Sequence, residues 1–162
     1  MMRRTALAGL MAVSLTVLAG CGFQLRGLHQ PALGISELSL SANVSPLSEE
    51  VRRSLESAGT RVVEDADLRV NLGDERIGEN RLTRSDSGSR ETSITLTAPF
   101  SVQRVSDSAY LLNQQQLEVS TTVLLSTDDI YSGEEARTNA IEQLRRDAAT
   151  QLIDRLDALE TP

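Results

Sequence analysis

Ile94-Thr95-Leu96-Thr97-Ala98-Pro99-Phe100-Ser101-Val102-Gln103 is the stretch on which the fold turns, because apolar and polar side chains alternate through it. Successive side chains of a strand point to opposite faces, so Ile94, Leu96, Ala98, Phe100 and Val102 go inward while Thr95, Thr97, Ser101 and Gln103 meet water. Pro99 has no amide proton to give to a ladder and is expected on the outward face, at an edge or a bulge. A strand half buried in this way needs partner strands beside it and apolar elements over one face.

Both are found in the flanking sequence. After the turn formers Ser106-Asp107-Ser108, residues Leu117, Val119, Val123 and Leu125 alternate again, which predicts a hairpin with a returning strand. Upstream, Leu68-Arg69-Val70-Asn71-Leu72 alternates strictly behind the acidic turn Glu64-Asp65-Ala66-Asp67, Thr60 to Val63 is a short extended run, and residues 35–42 place Leu38, Leu40 and Ala42 on one face. From Gly78 to Arg90 the alternation is lost and Asn80, Ser85, Asp86, Ser87, Gly88 and Ser89 predict a loop or a protruding hairpin tip.

Two helices complete the set. Ser45-Pro46 is an N-cap followed by proline at the first helical position, Leu47, Val51, Leu55 and Ala58 make one apolar stripe, and Gly59 closes the helix. The second is longer. Ser132 with Glu135 fits a capping box, and Ile141, Leu144, Ala148, Leu152, Leu156 and Leu159 keep helical spacing, so a helix from Gly133 to Leu159 would run ~40 Å. It carries six acids against four arginines, a poor match to an anionic bilayer surface, and is read as a core helix. The expected architecture is α+β: a small mixed or antiparallel sheet of about four strands with two helices packed on one face, the first helix returning a parallel strand.

Composition narrows the function. All 16 basic residues are arginine, which a GC-rich genome or a selected use of guanidinium would each explain, and the net charge is −7. Such a chain is repelled by polyanions on average, so nucleic acid is not expected as a partner and any anion site must be local. His29 is the lone histidine, no metal-ligand spacing occurs, and no Gly-rich loop leads a strand into a helix, so no metal, cofactor or enzymatic activity is expected.

The N-terminus supplies the address. Met1-Met2-Arg3-Arg4-Thr5 is positively charged, and the uncharged run Ala6 to Leu18 is about 13 residues against the ~20 needed to span a bilayer. That is a signal peptide, expected to be cut. It ends in Leu18-Ala19-Gly20-Cys21, which looks like a bacterial lipobox and makes Cys21, the sole cysteine, the expected lipid attachment. The resulting layout is a cleaved signal at 1–20, a lipidated tether at 21–34 punctuated by Gly22, Gly27, Pro31 and Gly34, and one domain at 35–160. Loss of Arg3 and Arg4 with the signal takes the net charge from −7 to −9.

Cys21-Gly22-Phe23-Gln24-Leu25-Arg26-Gly27 behind a lipobox resembles the mature start of the LPS-assembly lipoproteins of the LptE (RlpB) family. Pro46-Leu47-Ser48 opening the first helix and Ala148-Ala149-Thr150-Gln151-Leu152 in the last are similar too, as is the order of elements over nearly the whole chain. The resemblance implies a non-enzymatic outer-membrane lipoprotein on the periplasmic side that plugs the LptD β-barrel and assists lipopolysaccharide transport. A polar outward face of Ser, Thr and Gln suits enclosure in a water-filled barrel, as it also suits plain solvent. A pilotin-type lipoprotein that chaperones another outer-membrane channel would share the anchor and the small α+β domain.

Between residues 76 and 90, Arg76, Arg81, Arg84 and Arg90 outnumber Glu79 and Asp86, a local excess of positive charge in an acidic chain. Guanidinium engages two phosphate oxygens at once, so this tip is either a lipopolysaccharide contact or a solvated loop. The resemblance ties basic residues around this loop to lipopolysaccharide, with Arg84 the best match by its spacing to Glu91. A second basic position falls near the start of the last helix, where the family pattern has lysine and this chain offers Arg137.

Overall fold

The computed structural model describes residues 33–82, 89–126 and 129–159. Eight elements follow in the order β1 (Glu37–Ala42), α1 (Pro46–Ser57), β2 (Arg61–Val62), β3 (Leu68–Leu72), β4 (Arg76–Arg81), β5 (Ser89–Arg104), β6 (Tyr110–Ser126) and α2 (Ile130–Asp157). The six strands form one mixed sheet. β1 lies between β2 and β3 and is parallel to both, with Leu38 opposite Val62 and Leu40 opposite Val70. Parallel neighbours need a crossover connection, and α1 supplies the one between β1 and β2.

β5 organises the rest. Along one edge it receives β3 at Phe100–Arg104 and β4 at Thr92–Thr97, and along the other it pairs antiparallel with β6 over almost its whole length. β3 and β4 thus lie end to end, and their registers differ by one residue: Leu72 faces Phe100, yet Arg76 faces Thr97. The extra residue is a bulge at 73–75 opposite Pro99. The Gly73 amide donates to the Pro99 carbonyl at 2.8 Å, and a Cβ on Gly73 would lie 2.7 Å from Pro99 Cγ. Only a residue without a side chain fits there. Pro99 is exposed, on the outward face expected of it.

The alternation of β5 translates directly into burial. Ile94, Leu96, Ala98 and Val102 are fully buried and Phe100 nearly so, while the residues between them stay half exposed. Leu47, Val51 and Leu55 of α1 and Ile141, Leu144, Ala148, Leu152 and Leu156 of α2 join them in a single core cluster. Each fully buried leucine contributes about 1.5–3 kcal/mol. The opposite sheet face carries Ser41, Asn71, Ser101, Thr95 and Thr97 and, among the described residues, no helix.

Several details depart from the sequence reading. The sheet has six strands and not about four, because β2 is only two residues and most of β4 falls in the stretch read as a loop or hairpin tip; its antiparallel pairing with β5 bears out the hairpin alternative. Arg76 to Arg81 lack alternating burial because β4 is an edge strand exposed at five of its six positions, all but Ile77; the ladder to β5 holds it, not its own apolar side chains. The long helix begins three residues before Gly133. Asp129 is its N-cap, its carboxylate accepting from the Tyr131 and Ser132 amides, in place of the Ser132–Glu135 box. An ionised cap accepts more strongly than a hydroxyl and also suits the positive end of the helix dipole. The first helix starts as expected, with Ser45 and Ser48 exchanging side-chain bonds to each other's amides at 3.1 and 2.9 Å. Gly59 follows it at φ +90°, the left-handed conformation that favours glycine. The segment ahead of β1 is packed: Leu33 and Ile35 are buried, and the Leu33 amide donates to Ala58 O at 3.1 Å.

Candidate functional site

The basic residues singled out between 76 and 90 are sorted by the β4–β5 register. Paired residues share a face, so Ile77, Glu79 and Arg81 lie on the helix side with Leu96, Ile94 and Thr92, whereas Arg76 lies on the opposite side with Thr97. Arg90, two residues from Thr92, is on the helix side too and pairs with Leu125 of β6. Arg81 and Arg90 are therefore diagonal neighbours across adjacent strands, within ~7–8 Å at their backbones. Arg76 is not part of this pair. Arg84 falls outside the described residues, as does Cys21.

Arg81 and Arg90 border an open groove of about 350 Å³ whose other lining residues are Glu79, Thr92, Leu125 and Ser126. Both arginines are exposed, and among the described residues no carboxylate pairs with either. Glu79, the nearest acid by register, is engaged elsewhere: it accepts from Arg137 Nε at 2.6 Å, and Glu134 meets the same guanidinium at 3.5 Å. The Glu79 hydrogen bond, more than the Coulomb attraction beside it, pushes the Arg137 pKa up, so its positive charge is fixed. The structure thus brings Arg137 to the rim of the groove by way of Glu79, though with its charge already compensated.

A second clasp repeats the first. Arg145 donates from Nε and Nη2 to both carboxylate oxygens of Glu75, at 2.7–3.1 Å, and the pair is largely sheltered. The Glu75 hydrogen bonds raise the Arg145 pKa against an opposing effect of burial. Glu75 and Glu79 are ~13 Å apart along a strand, and Arg137 and Arg145 ~12 Å apart along a helix. Helix and strand run in opposite directions with their charges in step, which locks α2 against the edge that carries Arg81. Sequence reasoning missed both clasps; the matched spacings become meaningful only once β4 is known to lie beside α2.

The same register exposes an apolar pair on the other face of the tip. The Leu82 amide donates to Glu91 O at 2.9 Å, and Glu91 pairs with Leu124, so Leu82 and Leu124 flank Glu91 in one row and are both more than half exposed. Among the described residues no helix is long and apolar enough to cross a membrane.

This sheet, with two arginines at one end that pair with no carboxylate among the described residues, matches proteins of known kind. The model of the lipopolysaccharide-assembly family LptE matches residues 36–156. The chain belongs to the LptE family. The LPS-assembly lipoprotein LptE of Yersinia pestis (strain Pestoides F) is 29% identical over 96% of this chain and 77% of its own length, and that of Yersinia pseudotuberculosis serotype O:1b (strain IP 31758) is equally similar. Among solved structures, rare lipoprotein B from Shewanella oneidensis superposes with a TM-score of 0.66 at 17% identity over 76% of this chain and 96% of its own. A minor lipoprotein from Acinetobacter baumannii gives 0.64 at 15% identity over 78% and 93%. At those identities the two structures speak to the fold, a curled mixed sheet with two helices, which this LptE-family chain shares. A role in lipopolysaccharide assembly as a lipoprotein follows from the family.

Proposed function

We propose that this LptE-family protein is anchored to the outer membrane through lipid on Cys21, assembles with the LptD β-barrel on the periplasmic side, and contacts lipopolysaccharide phosphates through the arginines of its β4–β5 tip. The observation that carries the contact is the Arg81–Arg90 pair: two exposed guanidinium groups on one face, diagonal to each other, with no carboxylate to neutralise them among the described residues. Like charges so close repel, and a phosphate bridging them removes the repulsion while accepting two forked sets of hydrogen bonds. Arg84, outside the described residues, lies between the two strands in sequence and adds a further cation to this stretch. Arg137 fits as a support that compensates the Glu79 carboxylate lining the same groove, and Arg76, on the other face, as a minor contributor through long-range charge. The role is binding and positioning, without catalysis.

The test is a binding titration of the mature protein with lipopolysaccharide. Arg84→Glu with Arg90→Glu lowers affinity at unchanged circular dichroism, and the loss shrinks as salt rises, because exposed charges are screened over ~8–10 Å at physiological ionic strength. Equal binding by the variant and the parent removes the tip from the site. For the barrel, mild-detergent extraction of outer membranes and identification of what co-purifies with the tagged protein decides: LptD is expected, and recovery of another channel in its place means a pilotin-type role.

A further inference from the structure

The face of the sheet away from the helices holds a second feature, at the far end of β5 from the arginine tip. Three irregularities converge there. The Gly73 bulge sits opposite Pro99, the β5–β6 register slips twice between Phe100 and Gln103, and Gln114, beside those slips, takes φ +49°, a conformation that non-glycine residues seldom adopt. Backbone strain of this sort persists where the surrounding structure enforces it, and it gathers at binding sites. The slips bend β5 and β6 locally. At the bend lies a shallow cavity of about 610 Å³, broadly open to solvent, which can receive one face of an extended ligand without enclosing it.

Its chemistry is selective. Ser41, Asn71 and Ser101 lie in one row across β1, β3 and β5, and the Asn71 side-chain amide donates to Ser101 Oγ at 3.2 Å, which orients both. Asn113, Gln114 and the half-exposed Tyr110 close the other side, and no lining residue carries a charge. Amide and hydroxyl groups offer donors and acceptors together, the complement of a hydroxyl-rich ligand, while the Tyr110 ring and the Pro99 ring give flat apolar surfaces on which the C–H face of a pyranose can lie. A phosphate or carboxylate finds no counter-charge here, and an acyl chain would leave the amides without partners.

We propose that this cavity binds an uncharged stretch of oligosaccharide. It stands ~35 Å from Arg90 along β5, taking 3.3 Å per residue, and on the opposite face, so its occupancy and that of the arginine tip are separate questions. Saturation-transfer NMR, observed on the sugar, applies to the full lipoprotein in detergent micelles. The probes are maltohexaose and the dephosphorylated core oligosaccharide released from lipopolysaccharide by acid hydrolysis. Saturation of either sugar, with an affinity about tenfold weaker in Tyr110→Ala and in Asn113→Ala, supports the site. Preference for the core sugar over maltohexaose assigns the ligand to lipopolysaccharide; equal response assigns it to glycans in general. Both side chains are exposed, so neither variant endangers the fold, and circular dichroism checks this. No saturation of either sugar, or saturation unchanged in both variants, overturns the proposal.

Discussion

At the scale of single residues, the bulge at Gly73 is the most constrained point in the sheet. A methyl group there meets the Pro99 ring at 2.7 Å and the Pro99 carbonyl at 3.3 Å, neither of which can swing aside like the end of a long side chain. Gly73→Ala is expected to cost about 1–3 kcal/mol in urea unfolding, the range for forced overpacking. Adding Pro99→Ala to the variant should return part of that loss, and a double variant no better than the single one would place the strain elsewhere. Asp107 offers a residue-scale test of pH. Its carboxylate accepts from the Ala109 amide at 3.2 Å, which with Arg104 at 3.1 Å holds its pKa below the ordinary 3.8. A carboxyl depressed in the folded state contributes stability at neutral pH that begins to fade below about pH 3.8 and is gone once the pH passes the folded value. The β5–β6 turn should therefore loosen only in acid, seen as lower protection of the Ala109 amide below that pH, its exchange rate taken relative to the intrinsic rate at each pH, and a loss of protection beginning near neutrality would contradict the assignment.

Elements come next. The Glu75–Arg145 and Glu79–Arg137 clasps differ in shelter: the first pair is about one-fifth exposed or less, the second about one-third. Glu75→Gln leaves a guanidinium partly buried without its counter-charge and should cost about 1–2 kcal/mol, between the values for exposed and for buried pairs. Glu79→Gln should cost less than 1 kcal/mol in the same assay. If the order were reversed, the clasps would not be what positions α2 on β4. What could be read from the sequence divides along the same line. β3, β5, α1 and the body of α2 each bury one face, so period 2 or 3.6 shows in their own residues, as in Val70 and Leu72 or Leu144 and Leu152. β4 buries no side chain fully, and Gly78 and Asn80 read as turn formers; its strand character comes from β5, a neighbour the local sequence does not reveal. The same holds for the candidate site. An excess of arginine between 76 and 90 was legible, but which arginines share a face depends on the register between β4 and β5, and that separates Arg76 from Arg81 and Arg90.

For the whole molecule, the proposed anchor would decide where the fold works. On the proposed role, Cys21→Ala blocks acylation, and the domain supplied with an ordinary signal and no cysteine should fold unchanged and be recovered as a soluble periplasmic protein. Fractionation of cells lacking LptD measures this: recovery of the cysteine-free form in the outer membrane would mean that something besides lipid and barrel holds it. In an acidic chain, Arg81 and Arg90 side by side at the β4–β5 end give a phosphate-rich partner a local point of attraction, which favours an orientation with that end toward the phosphates.

The position of β1 has a mechanical side. The strand nearest the tether is also an interior one, bonded to β2 through Arg61 and Val63 and to β3 along Ser39–Ala42. Tension applied through the N-terminus is therefore carried lengthwise along an interior strand, and the ladders on its two sides must slide together instead of opening one bond at a time. Pulling the C-terminal helix loads the structure differently, peeling α2 off the core from its exposed end. A domain hung by its first strand in this way resists a tug on that strand more stiffly than a tug on its tail, an asymmetry that, on the proposed role, would suit an N-terminus fastened to a fluid bilayer and a body held by a rigid barrel.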